Sequence, residues 1–194
     1  MINLALFASG SGTNVENLIR HFAQSKEVKI KIVVTNNPEA GVIKRAENYK
    51  KNVHIISKQA LTNYTDQIID FLQTEKVDLI VLAGFLLKIP EKLIEAFPNR
   101  IINIHPALLP NYGGKGMYGM NVHNAVINAK EKESGITVHY VNEEYDKGAT
   151  ILQAKCGINE NDTPETLAKK IHELEYFYFP KAVEQVISEI QTKK

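Results

Sequence analysis

The run Asp78-Leu79-Ile80-Val81-Leu82-Ala83 constrains this chain more than any other stretch. It is too apolar to alternate between a wet face and a dry one, so as a strand it has to be covered on both sides. Such strands lie in the middle of parallel sheets, with helices packed above and below. The neighbouring sequence agrees. Strand-like runs at residues 3–8, 28–35, 53–56 and 101–105 are separated by helical patterns at 15–22, 42–50, 64–73 and 90–96, with a turn at 36–41. Pro90 sits near the first turn of the last of these helices, where a missing N–H does no harm. The alternation predicts an α/β fold, doubly wound around a mostly parallel sheet. Ligands of such sheets bind outside the carboxyl ends of the strands.

The last third of the chain changes pattern. Residues 135–141 and 150–156 flank a polar turn, 142–148, and predict a hairpin-like pair. Asp162 and Glu165 are spaced as a capping pair for a long final helix. Leu167, Ile171, Leu174, Tyr178, Val183, Val186 and Ile190 follow at helical spacing, and Pro180 predicts a kink. With 194 residues and no repeat or linker-like stretch, residues 1–194 are expected to form one domain.

Composition enters where partners are concerned. Lys plus Arg is 23, Asp plus Glu is 22, and the net charge of +1 offers no field for nucleic acid or an anionic membrane. No apolar run approaches the roughly 20 residues of a membrane span. No Lys or Arg precedes the apolar start, which reads as a strand rather than a signal peptide, so the expected location is the cytoplasm. Cys156 is the single cysteine, lies late in an apolar strand and reads as core. It has no partner for an intrachain disulfide, and the six histidines show no paired ligand spacing, so no metal is expected.

Three constellations carry chemistry. The first is Ser9-Gly10-Ser11-Gly12-Thr13-Asn14, between a strand and a helix. Free amides at a helix start favour an anion such as phosphate. Val15 stands where a dinucleotide fingerprint needs its third glycine, Thr35-Asn36 supplies no acid, and no Gly-Lys-Ser/Thr is present. What remains is a mononucleotide-sized phosphate cradle or a plain tight turn. The second is Asn103-Ile104-His105-Pro106, where Asn103 and His105 share one face of a strand. An Asn can donate to a developing oxyanion and a His can move a proton; both can also be satisfied by neighbouring backbone. The third is the acidic turn around Asp146, either a solvated turn or a carboxylate brought beside His105. His139, on the preceding strand, either lines the same cleft or packs in the core. The glycine-rich stretch 113–119 reads as a lid or as a loop without one fixed shape. Glu175, among large apolar residues, is either exposed or faces a ligand.

These constellations occur in order: the loop, Gly84-Phe85, then Ile102-Asn103-Ile104-His105-Pro106-Ala107-Leu108-Leu109-Pro110, then the Asp146 turn running into Ile151-Leu152-Gln153-Ala154-Lys155. Over nearly the whole chain, that order closely resembles the folate-dependent formyltransferases. Within them the Ser-Gly-x-Gly-Thr-Asn loop resembles members that act on glycinamide ribonucleotide in purine synthesis. The resemblance implies two small-molecule substrates, 5-phosphoribosylglycinamide and the cosubstrate 10-formyltetrahydrofolate, in a monomer or homodimer. It implies that Asn103, His105 and Asp146 are catalytic. It implies that Gly12, Thr13 and Asn14 hold the phosphate side of the ribotide and that Glu175 lies near its glycinamide end. Leu86, Leu87, Lys88 and Ile89, with Asn103, Asn142 and Asp146, would line the folate pocket. His123 falls near the substrate-side loop. In the implied mechanism Asp146 raises the pKa of His105, which acts as a cation. Related enzymes that hydrolyse the formyl folate, or that use another amine acceptor, are alternatives.

The chain departs from the family pattern in two places relevant to substrate. The loop 112–122 is several residues longer than in familiar bacterial forms, and an arginine expected before Tyr64 has no counterpart near Leu61-Thr62-Asn63. Lys58 is the nearest candidate replacement.

Overall fold

The computed structural model describes residues 1–192. Its seven-stranded sheet comprises β1 (Ile2–Phe7), β2 (Val28–Thr35), β3 (Val53–Ile55), β4 (Leu79–Leu82), β5 (Ile101–His105), β6 (Glu133–Tyr140) and β7 (Thr150–Gly157). The strand order is β3-β2-β1-β4-β5-β6-β7. Strands β1 to β5 pair parallel, while β5–β6 and β6–β7 are antiparallel. The expected doubly wound sheet and C-terminal hairpin are therefore present.

Period-two alternation builds a core on each face. Leu4, Leu6, Leu79 and Val81 point into one core, against α1 (Thr13–His21), α2 (Gly41–Asn48), α6 (Met120–Asn128) and α7 (Pro164–Thr192). Ala5, Phe7, Ile80 and Leu82 point into the other, against α3 (Lys58–Asn63), α4 (Thr65–Thr74) and α5 (Glu91–Ala96). β4 is buried along its whole length, as its uninterrupted apolar run requires. Truncating Leu79 or Ile80, both 0% exposed, to Ala would cost about 2–5 kcal/mol.

Several local expectations are corrected. Helix α3 was not expected, and neither was α6, which occupies the end of the long loop. Pro90 is the residue before α5 rather than part of its first turn. The cap of α7 lies one residue beyond the Asp162/Glu165 pair: the Thr163 and Thr166 hydroxyls accept from each other's backbone N–H, and Pro164 opens the helix. Asp162 instead accepts from the Asn159 amide and pairs with Lys170. Helix α7 runs unbroken past Pro180. Pro180 has no N–H for the carbonyl of Tyr176 one turn earlier. The Asn17 side chain, from α1, donates to that carbonyl at 2.9 Å in its place.

Candidate active site

The loop after β1 is tied down by Ser9. Its N–H donates to the Gly84 carbonyl, and its hydroxyl accepts from the Leu86 amide and donates to Asn36. One serine thus joins the carboxyl ends of β1, β2 and β4. At Gly12 the chain turns with φ 76°, and a Cβ there would lie 2.4 Å from Val42 Cγ2. Glycine is required both for the conformation and for the close approach of α2. Asn14, in the first turn of α1, is buried and donates to the Glu175 carboxylate of α7 at 2.9 Å. Burial raises the Glu175 pKa, against the opposing pull of Asn14 and His172. Asn14 Oδ1 and His123 Nδ1 are buried without a partner among the described residues. Burial, and then the charges of His172 and His105, hold the His123 pKa down to about 4. Orphaned polar atoms at a cleft wall are candidates for satisfaction by a ligand.

Asn103 and His105 continue the face of β5 begun by Ile101, while Ile102 and Ile104 pack into the opposite core. The Val141 N–H donates to the Ile101 carbonyl at the start of β5. The turn that follows has to double back along the strand for Asp146 to stand 3.6 Å from His105 Nδ1. Gly148 permits this return, because a Cβ there would lie 1.7 Å from the Tyr140 carbonyl oxygen. Asp146 adopts φ 56° and accepts from the Gly114 amide at 2.8 Å. A left-handed Asp is tolerated but uncommon, and such outliers cluster at functional sites.

The two histidines have defined tautomers. A carbonyl can only accept, so His105 Nε2–H donates to the Tyr112 carbonyl at 2.8 Å and the Nδ1 lone pair faces Asp146. His139 Nδ1–H donates to the Tyr140 carbonyl at 2.8 Å, and its Nε2 accepts from Asn103 Nδ2 at 3.1 Å. That leaves one Asn103 N–H without an acceptor among the described residues. His139 Nε2 also lies 3.6 Å from Asp146. Burial opposes ionisation of Asp146, but His139, the charge His105 carries whenever it is protonated, and the Gly114 amide outweigh it and hold the pKa below the usual carboxylate range. His105 departs from expectation: burial lowers its pKa, and the raising effects of Asp146 and the Tyr112 carbonyl do not overcome it. The fold thus favours the neutral ring over the cation more than solvent would.

One cleft of about 750 Å³ joins these groups, within the range of ligand sites. Gly12, Thr13, Asn14, Leu86, Leu87, Lys88, Ile89, Asn103, His105, Asn142, Asp146 and Glu175 all line it. So do His123, Lys58 and the glycine-rich loop from Gly114 to Gly119. His139 belongs to the cluster rather than to packing alone, because β6 pairs with β5 so that His139 lies opposite Asn103. Tyr145 of the acidic turn, with Lys88 5.8 Å over its ring, also lines the cleft, as does His172, which had no sequence signal. Cys156 lies outside it, half-buried, with its thiol pushed up by burial. Among the described residues no group of three or more His, Cys, Asp or Glu is placed to hold a metal ion.

A cleft at a strand switch, with a free amide donor beside a proton-accepting imidazole, suits transfer of a carbonyl-bearing group. Residues 2–183 match the formyl transferase family, and the chain belongs to it. Its relatives are more particular. It is 38% identical over 192 residues to the chloroplastic phosphoribosylglycinamide formyltransferase of Arabidopsis thaliana, covering 96% of this chain and 65% of that protein. It is 35% identical to the phosphoribosylglycinamide formyltransferase of Bacillus subtilis, covering 96% of this chain and 95% of that one. The crystal structure of the Anaplasma phagocytophilum enzyme of the same name superposes with a TM-score of 0.87 at 34% identity, covering 97% of this chain and 88% of that one.

Proposed function

We propose that this chain, as a single domain, transfers the formyl group of 10-formyltetrahydrofolate to the amine of 5-phosphoribosylglycinamide, a step of purine (IMP) synthesis. The observation that carries this reading is the Asn103–His139–Asp146–His105 cluster, set in the same cleft as the amide-rich loop 11–14 in a member of the formyl transferase family. A cytoplasmic location, and no nucleic-acid or membrane partner, go with this reading; the net charge of +1 supports the second.

The amine nitrogen attacks the formyl carbon and gives a tetrahedral species with a negative oxygen. The free N–H of Asn103, held in place by His139, donates to that oxygen. Neutral His105 accepts the amine proton at Nδ1. The imidazolium so formed lies between the Tyr112 carbonyl and the Asp146 carboxylate, which stabilise its charge. The proton then passes to the folate nitrogen as the carbon–nitrogen bond to it breaks. No covalent enzyme intermediate is required. The ribotide phosphate is anchored by the loop amides of Gly12, Thr13 and Asn14, and Glu175 fixes the same substrate through Asn14. Leu86, Leu87, Lys88, Ile89 and Asn142 line the folate side.

Two substitutions test the assignment. His105→Ala is expected to cut kcat by about 100- to 1000-fold, the scale of one lost group acting on the developing charge. Asn14→Ala is expected to act mainly on the KM for the ribotide. Near-normal kcat in the first, or an unchanged KM in the second, overturns the corresponding role.

A further inference from the structure

The carbonyls of Gly10 and Ser11 face α2 rather than the cleft. Val42 N–H donates to the Gly10 carbonyl at 3.1 Å, and Arg45 Nε–H donates to the Ser11 carbonyl at 2.9 Å. In a trans peptide the C=O and the following N–H point in opposite directions. The N–H groups of Ser11 and Gly12 therefore point away from α2. These two amides, with those of Thr13 and Asn14 in the first turn of α1, have no acceptor among the described residues. Four successive free amides in a concave loop make a nest for an anion.

Arg45 sits behind this loop. Besides the Ser11 carbonyl, its guanidinium holds the carboxylate of Glu16, which the Tyr49 hydroxyl also reaches at 3.3 Å. Glu16 lies in the first turn of α1, on the same helix end as the free amides. Without Arg45 its negative charge would oppose an anion bound there. One side chain thus sets a peptide plane and offsets the nearest like charge.

We propose that Arg45 is a positioning residue for the substrate phosphate, acting through the Ser11–Gly12 peptide rather than by contact. The proposal rests on the phosphate-anchoring role given to the Gly12–Asn14 loop above. A planar guanidinium can hold a carbonyl and a carboxylate at once, whereas an ammonium lacks the fork.

The test compares 5-phosphoribosylglycinamide with its dephosphorylated analogue as acceptors. Hydrogen bonds to a charged group are worth about 1.5–3 kcal/mol, so misaiming one amide corresponds to roughly a tenfold to hundredfold change. Arg45→Met is expected to raise KM for the phosphorylated acceptor by about that factor, with KM for the analogue unmoved and kcat within about twofold. Arg45→Lys is expected to rescue only part of the loss. The double variant Arg45→Met/Glu16→Gln removes the uncompensated charge and is expected to stay impaired. Full recovery in the double variant overturns the peptide-locking role and leaves a charge effect alone. Equal losses with both acceptors would mean a general structural defect and also overturn it. If the unaltered enzyme does not distinguish the two acceptors, the phosphate reading itself falls. If it does and Arg45→Met distinguishes them by the same factor as the unaltered enzyme, the role of Arg45 falls alone.

Discussion

Mild acid should weaken this fold through His123. In the unfolded chain an imidazole titrates near 6.5; in the fold His123 is held down to about 4 by burial, with His172 and His105 adding to the effect. Its folded pKa is depressed, so between those values the unfolded chain binds a proton that the folded one refuses. Stability is therefore lost as pH falls through that window. Each pH unit inside it corresponds to about 1.4 kcal/mol, so His123 removes about 2 kcal/mol between pH 7 and pH 5. His105, also lowered, acts in the same direction. Glu175, raised by burial, acts oppositely, because it gains its proton more readily in the fold. The contribution of His123 is isolated by subtraction. Urea unfolding at both pH values, for the unaltered protein and for His123→Asn, gives the four stabilities needed. With a slope of about 2 kcal/mol per molar urea, the unaltered midpoint should fall about 1 M further than that of the variant. His123→Gln repeats the comparison should the asparagine variant fold poorly. An equal pH-dependent loss in the unaltered protein and the variant would refute the reasoning.

Other expectations follow from the same contacts. Gly148→Ala forces a Cβ against the Tyr140 carbonyl, so both the melting temperature and kcat should fall as the turn carrying Asp146 shifts. Asn17→Ala leaves the Tyr176 carbonyl beside Pro180 without its donor; a loss of about 0.5–1 kcal/mol in chemical denaturation, with kcat retained, is expected. The neutral His105 predicts an acid limb in kcat/KM with an apparent pKa below 6.5, because the proton-accepting form is lost there. Asp146→Asn removes the neighbour that raises that pKa, so the limb should move to still lower pH while the plateau drops. A limb above 6.5 in the unaltered enzyme would contradict the neutral resting ring.

The parallel sheet was legible because its physics is local and periodic. β4 has no polar residue to place it at an edge, and β5 alternates Ile with Asn103 and His105 across two faces. That a cleft opens at the carboxyl ends of the strands was legible too, but the adjacency of β1, β4 and β5 there is a fact of the fold, not of the pattern. Helices α3 and α6 were not legible. α3 has only one buried residue, Leu61, and so no apolar stripe to read. α6 begins within a loop whose glycines masked its start, and only Val122, His123 and Val126 are buried along it. The partnership of His139 with Asn103 and Asp146 depends on the turn doubling back, which no spacing rule specifies. The expected ionisation of His105 takes in only one of the effects that set it. Asp146 does raise its pKa, but the sequence gives no measure of burial, and burial has the larger effect. The α7 cap slid by one residue because Thr163 and Thr166 offer the same reciprocal geometry as the acidic pair.

The central claim is the transfer of a formyl group to a phosphorylated glycinamide acceptor. It is tested most directly by following deformylation of 10-formyltetrahydrofolate with 5-phosphoribosylglycinamide present or omitted, and weighing the products. The account predicts deformylation only when the ribotide is present, with the formyl group recovered on its amine. Free formate released at the same rate without the ribotide would contradict it.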